Sequence, residues 1–204
     1  MQSKTFTDYD AFAESVKDVD ARMMFQNPTL HRWSVSHTWL SKIHLQLGRL
    51  GTGNIVEGQA SSNGLLLYVP VSKQSEYRAN ATVYEEGSIA ILEPGCEFCV
   101  ASTSEHDWCS IQLPNDMFAD PAPEASSSVT SPACWVSHAN PGAAQKIFRL
   151  VQQVMINAVH HPGFEDALAA RHIETDLSKL AAEVVGRSLV DQSRTPHQGR
   201  PSVP

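Results

Sequence analysis

From Met23 to Gln112 the chain is a succession of short runs rich in β-branched, aromatic and leucine residues, broken by Gly, Asn, Ser and Pro, with no gap long enough for a helix. The runs are Met23–Gln26, Arg32–His37, Ile43–Leu50, Ile55–Gln59, Gly64–Val69, Glu76–Ala79, Thr82–Tyr84, Ser88–Leu92, Glu97–Ser102 and Trp108–Gln112. A parallel strand pair needs a crossover of about a dozen residues, so strands this close together must pair antiparallel, in a sandwich or a barrel. Turn chemistry agrees. Ala79-Asn80-Ala81 reads as a hairpin tip, because Asn tolerates the left-handed conformation of tight turns. Glu85-Glu86-Gly87 and Glu93-Pro94-Gly95 bracket the apolar run Ser88–Leu92 and mark a buried strand with a turn at each end.

Helical patterning lies outside this stretch. Thr7 followed by Asp10 is a capping pattern, and Tyr9, Phe12, Val16 and Val19 follow at helical spacing, which predicts a helix over Thr7–Val19. Residues 119–132 carry almost no large apolar group and read as a connector. Asn140-Pro141 then sets a cap before a first-turn proline. Ile147, Phe148, Val151, Val154, Met155 and Ala158 form one stripe, ended by His160-His161-Pro162-Gly163. A second helix is predicted over Phe164–Leu189. Its Ile173, Leu177, Leu180 and Val184 alternate spacings of four and three, the signature of a seam between helices. That seam packs either on the rest of the chain or on a second copy; a dimer interface on an exposed face is the sharper expectation.

The expected class is therefore α+β, an antiparallel β-structure followed by a C-terminal helical pair; the Gly87-to-Gly95 segment resembles the second cupin motif, which implies a cupin-like β-barrel of jelly-roll type. The division expected is residues 1–118 for the barrel with its short helix, 119–139 for a linker, 140–190 for a two-helix dimerisation element and 191–204 for a Pro-rich connector.

Charge narrows the function. With 15 Lys and Arg against 22 Asp and Glu, the net charge of -7 lacks the positive field that tracking phosphates requires. No window approaches a bilayer-spanning run of about 20 apolar residues, and Met1-Gln-Ser-Lys-Thr lacks the apolar core of a signal peptide, so a cytoplasmic protein is expected with no membrane partner. Cys96, Cys99, Cys109 and Cys134 are too few and too unevenly spaced for a disulfide framework. Cys96-Glu-Phe-Cys99 has the redox spacing, but in a turn-and-strand context rather than at a helix N-terminus.

Catalytic and metal patterns are absent. A cupin metal site needs His-X-His with a following Glu, and between Ile43 and Val69 the only histidine is His44. The second cupin motif is matched at Gly87 and Gly95, yet its histidine position falls on Phe98. One imidazole without partners would leave a metal under-coordinated, so no metal and no cofactor are expected. There is no Gly-X-Ser-X-Gly elbow. The glycines at 48, 51 and 53 precede no helix and read as a turn. His31, His37, Trp33, Trp39 and Trp135 are read mainly as satisfied or packing residues. His44, Tyr68 and Trp108 are the candidates for a small-molecule pocket, the last two combining an apolar body with a polar tip.

The order of elements resembles the N-terminal regulatory region of AraC/XylS-type transcription regulators. The resemblance is carried by Phe6-Thr-Asp-Tyr-Asp-Ala-Phe-Ala13, by Gly87-Ser-Ile-Ala-Ile-Leu-Glu-Pro-Gly95, by the paired helices after Pro141 and by the closing Gly199-Arg-Pro-Ser-Val-Pro204. It implies a non-enzymatic module that receives a small effector, pairs as a homodimer, and controls DNA through a helix-turn-helix domain beyond residue 204. A metal-dependent cupin enzyme and a stand-alone small-molecule-binding protein are the alternatives.

Overall fold

Four strands explain the architecture: Gly64–Pro70, Ile89–Leu92, His106–Pro114 and Ile43–Leu50 are buried along almost their whole length, where a strand with one wet face would alternate. Such strands need cover on both sides. In the computed structural model, which describes residues 2–26, 33–71, 76–117, 133–138, 141–161, 163–164 and 167–194, they receive it from a second sheet on one face and two helices on the other.

The chain runs β1 (Gln2–Phe6), α1 (Tyr9–Ser15), β2 (Val19–Phe25), β3 (Trp33–Leu40), β4 (Ile43–Leu50), β5 (Asn54–Ala60), β6 (Gly64–Pro70), β7 (Tyr77–Ala79), β8 (Thr82–Val83), β9 (Ile89–Leu92), β10 (Glu97–Ser102), β11 (His106–Pro114), β12 (Cys134–Ser137), α2 (Pro141–His160) and α3 (Leu168–Arg194). The larger sheet has the order β1-β3-β4-β11-β6-β9-β12 and the smaller β2-β5-β10-β7-β8. All described pairings are antiparallel. The cupin-like α+β arrangement expected from the sequence is present; the two sheets lie face to face without closing into a barrel.

Side chains divide by strand parity. Ile43 and Leu45 of β4, Leu65 and Leu67 of β6, Ile89 and Ile91 of β9 and Ile111 and Leu113 of β11 join Ile147, Val151, Val154 and Met155 of α2 in one core. Their neighbours, among them Leu66, Ala90 and Leu92, turn the other way into the space between the sheets.

Here one expectation is corrected. Ile173, Leu177, Leu180 and Val184, expected on an exposed dimer face, are 8, 0, 8 and 2% exposed in the single chain. They belong to the same core as α2 and the sheet. A four-three spacing identifies a helix-to-helix seam, and here the partner is the chain's own α2 stripe.

Boundaries also shift. The first helix is capped by Asp8, whose side chain accepts from Ala11 N at 2.9 Å, rather than by Thr7, and it stops at Ser15 because Val19 already pairs with Ala60. β1 and β12 have no counterpart in the sequence reading. Cys134–Ser137, assigned there to the linker, pairs with β9. His31, Asn140, Pro162, most of the Pro-rich connector and the stretch 119–132 lie outside the described residues.

The turn at Asn80-Ala81 is as expected, with φ of 45° and 70°. Asn80 N donates to Cys99 O and its Oδ1 accepts from Cys99 N, both at 2.8 Å, which stitches the tip to β10. Ala81 has no such compensation and carries the left-handed strain of an L-residue, about 1 kcal/mol.

Two urea titrations check this account. Ala81→Gly is expected to raise stability by about 0.5–1 kcal/mol by relieving that strain. Leu177→Ala is expected to cost about 2–5 kcal/mol, against less than about 0.5 for Leu168→Ala on the exposed side of the same helix.

Candidate functional site

The inward-facing residues of the two sheets do not meet everywhere. Between them lies a cavity of about 70 Å³, bounded by β2, β5 and β10 on one side and β4, β6, β9 and β11 on the other, with Phe12 of α1 across one end. Its wall is mostly apolar: Val19, Met23, Leu50, Val56, Leu66, Leu92, Phe98 and Val100. Tyr68 and Trp108 line it together, their rings 6.0 Å apart and tilted by 32°. Burial holds the Tyr68 phenol well above its ordinary pKa, so it is a neutral donor at any physiological pH.

The sequence explains how Trp108 reaches this place. In the β11–β4 register Trp108 sits opposite Gly48, and a Cβ at position 48 would come within 2.3 Å of the indole ring. The missing side chain is the room in which the indole lies. Gly48, read from sequence as part of a turn, is therefore inside β4 and shapes the cavity.

Two donors in the wall have no acceptor among the described residues: Trp108 Nε1 and Asn54 Nδ2. Asn54, at the start of β5, uses its other groups fully. Its Oδ1 accepts from Ser102 Oγ at 2.7 Å and its backbone N donates to the same oxygen at 3.1 Å, which fixes the amide in place. A buried donor without a partner costs about 1–3 kcal/mol, so an acceptor entering the cavity has that much to recover at each one.

A polar joint holds α1 over the cavity. Gln46, facing inward from β4, accepts from Lys17 N at 2.8 Å and donates through Nε2 to Lys17 O at 2.9 Å, Asp18 Oδ2 at 3.1 Å and Ser110 Oγ at 3.1 Å. Asp18 stands in the left-handed region at φ 69°. Its Oδ2 also accepts from His44 Nδ1 at 2.6 Å, with both side chains buried.

His44 is thus not brought to the cavity with Tyr68 and Trp108. It lies on the far side of the joint and lines an open cleft of about 740 Å³ with Asp18, Asp20, His37, Trp39 and Gln112. Trp39, 56% exposed, stacks on His44 at 4.5 Å and 27°. Sequence reasoning missed Asn54 and Gln46. Gln46 had a signal: with His44 it alternates with Ile43, Leu45 and Leu47, polar residues on the inward face of a buried strand. Asn54 had none, since its inward direction follows from where β5 begins.

Other chemistry is sparse. Among the described residues no three His, Cys, Asp or Glu lie together as metal ligands. Cys96 precedes β10 and Cys99 lies within it, and burial raises the Cys96 thiol to about 11 and Cys134 to about 12, out of the reactive range. No described helix is long and apolar enough to cross a membrane.

No protein-family model and no curated protein matches the sequence. Among solved structures, that of the AraC-like transcriptional activator CuxR superposes with a TM-score of 0.60 at 13% identity, covering 91% of this chain and 69% of that one. At this identity the likeness concerns the fold, and it extends over almost the whole chain, sheets and helices alike. A putative glyoxylate-induced protein from Pseudomonas aeruginosa aligns over 58% of this chain and 40% of its own at 12% identity, with a TM-score of 0.30, below the level of a shared fold.

Gly48→Ala is expected to push the Trp108 indole into the cavity. The variant should lose about 1–3 kcal/mol in thermal or urea unfolding and show an altered Trp108 environment in near-ultraviolet circular dichroism.

Proposed function

We propose that the chain is the effector-receiving module of an AraC-like transcription regulator, with the cavity between the sheets as its ligand site and Tyr68, Trp108 and Asn54 as ligand contacts. The observation that carries this is the apolar cavity between the sheets, with two donors that lack partners among the described residues, in a fold shared along 91% of the chain with a transcriptional activator. The module has no catalytic role in this reading and works in the cytoplasm as a homodimer.

DNA contact falls to a helix-turn-helix unit outside these 204 residues, in keeping with the net charge of -7. Helix-turn-helix readers gain affinity by presenting two recognition helices to half-sites about one duplex turn apart, so a paired module controls occupancy by setting their spacing. An effector shifts this only if it binds the two arrangements unequally. Since Ile173, Leu177, Leu180 and Val184 are used within the chain, pairing is assigned to what the helices leave outside, where Ile156 and Val159 on α2 and Leu168 on α3 are more than half exposed.

Fused to a helix-turn-helix domain that binds its operator only as a dimer, the chain is expected to repress a reporter. Ile156→Glu combined with Val159→Glu should abolish repression and convert the purified chain to a folded monomer in sedimentation. A wild-type chain that sediments as a monomer and fails to repress would end the regulator reading.

A further inference from the structure

The chemistry of the cavity wall restricts what can occupy it, and the restriction rests on the sensing role argued above. Of the residues lining it, Lys17 alone bears a charge, and its Nζ donates outward to Glu14 O at 3.1 Å in an exposed position. A carboxylate, phosphate or ammonium ligand would be desolvated without a counter-charge, the arrangement that buried ions do not tolerate. A polyol fares little better. Gln46 has its oxygen on Lys17 N and its amide shared among Lys17 O, Asp18 and Ser110, so few groups are left to pair with several hydroxyls. The wall has the opposite need: Asn54 Nδ2 and Trp108 Nε1 are donors, each on a residue at least nine-tenths buried, and both lack acceptors among the described residues.

Size adds a second limit. A cavity of about 150 Å³ lined by aliphatic and aromatic residues takes up benzene. This one, at about 70 Å³, has less than half that room.

We propose that the ligand is a small uncharged carbonyl compound, a ketone or aldehyde of a few heavy atoms, whose oxygen accepts from the Asn54 amide and the Trp108 indole while its alkyl part lies against Leu66, Leu92 and Val100. Specificity follows from the same asymmetry. A site built to donate to an oxygen discriminates against the isosteric hydrocarbon, which leaves both donors unpaired.

The test uses the purified chain and the indole N–H resonance of Trp108 in heteronuclear NMR, assigned with Trp108→Phe. Acetone is compared with isobutene, in which =CH2 replaces its oxygen, with acetate, with ethylammonium and with ethylene glycol. The ketone is expected to move the resonance downfield and to saturate in the millimolar range, about tenfold tighter than the hydrocarbon. In Trp108→Phe, followed through cavity methyl resonances, that preference should shrink severalfold while hydrocarbon binding persists. If acetate, ethylammonium or ethylene glycol binds the cavity as tightly as the ketone, or if ketone and hydrocarbon bind equally, the assignment of ligand class is overturned and the sensing role stands. If no probe of any class perturbs a cavity resonance, the ligand class and the sensing role both fall.

Discussion

The central strands of the larger sheet have no wet face, and the rest of the molecule is arranged around that constraint. β6, β9 and β11 bury both sets of alternating side chains, so each face must be covered over its full length. On one side α2 and α3 do this with aliphatic side chains that interlock with Ile43, Leu67, Ile91 and Ile111. On the other the smaller sheet does it incompletely, and the shortfall is the cavity. The helical pair is accordingly a structural layer of the domain, not an appendage. The same strands line the cavity on their inner face and carry the helices on their outer face.

Some polar groups inside this core tie separate segments of the chain together. Gln46 is the clearest case: a single amide meets both the N–H and the C=O of Lys17, holding the joint between α1 and β2 against the sheet. The Asp18 carboxylate, set in a left-handed conformation, accepts from both Gln46 and His44, so the joint is tied at two points on β4. α1 places Phe12 in the cavity wall, and its position depends on this joint. The cavity and the cleft that holds His44 and Trp39 are back to back across it, with Lys17 and Val19 lining both.

Much of the fold was legible in the linear pattern. Dense strand signals require antiparallel pairing, and Asn80-Ala81, Gly87 and Gly95 adopt the positive φ that their turns demand. The resemblance to AraC/XylS-type regulators led to the fold that the solved structure of an AraC-like activator shares. β1 was not legible, because Gln2–Phe6 is too polar and short to signal a strand and forms only by pairing with β3. β12 was hidden in the same way within a Ser- and Pro-rich region. Tyr68 and Trp108 stood out in the sequence because both couple an apolar ring to a polar tip; that they line one cavity follows from strand register. Asn54 and Gly48 escaped, since neither residue type announces that a cavity or an indole lies opposite.

The sequence by itself determined most of the strands and the helices, the antiparallel class, and the apolar spacing that makes α3 a packing helix. Those follow from local rules, in which backbone preference and the repeat of apolar residues act within a few positions. Tertiary structure alone decided against what α3 packs, which face of β4 looks into the cavity, and that Tyr68 and Trp108 share a wall while His44 lies behind the Gln46 joint. Each of these depends on register between strands distant in the chain, where a shift of one residue would exchange every inward side chain for its outward neighbour.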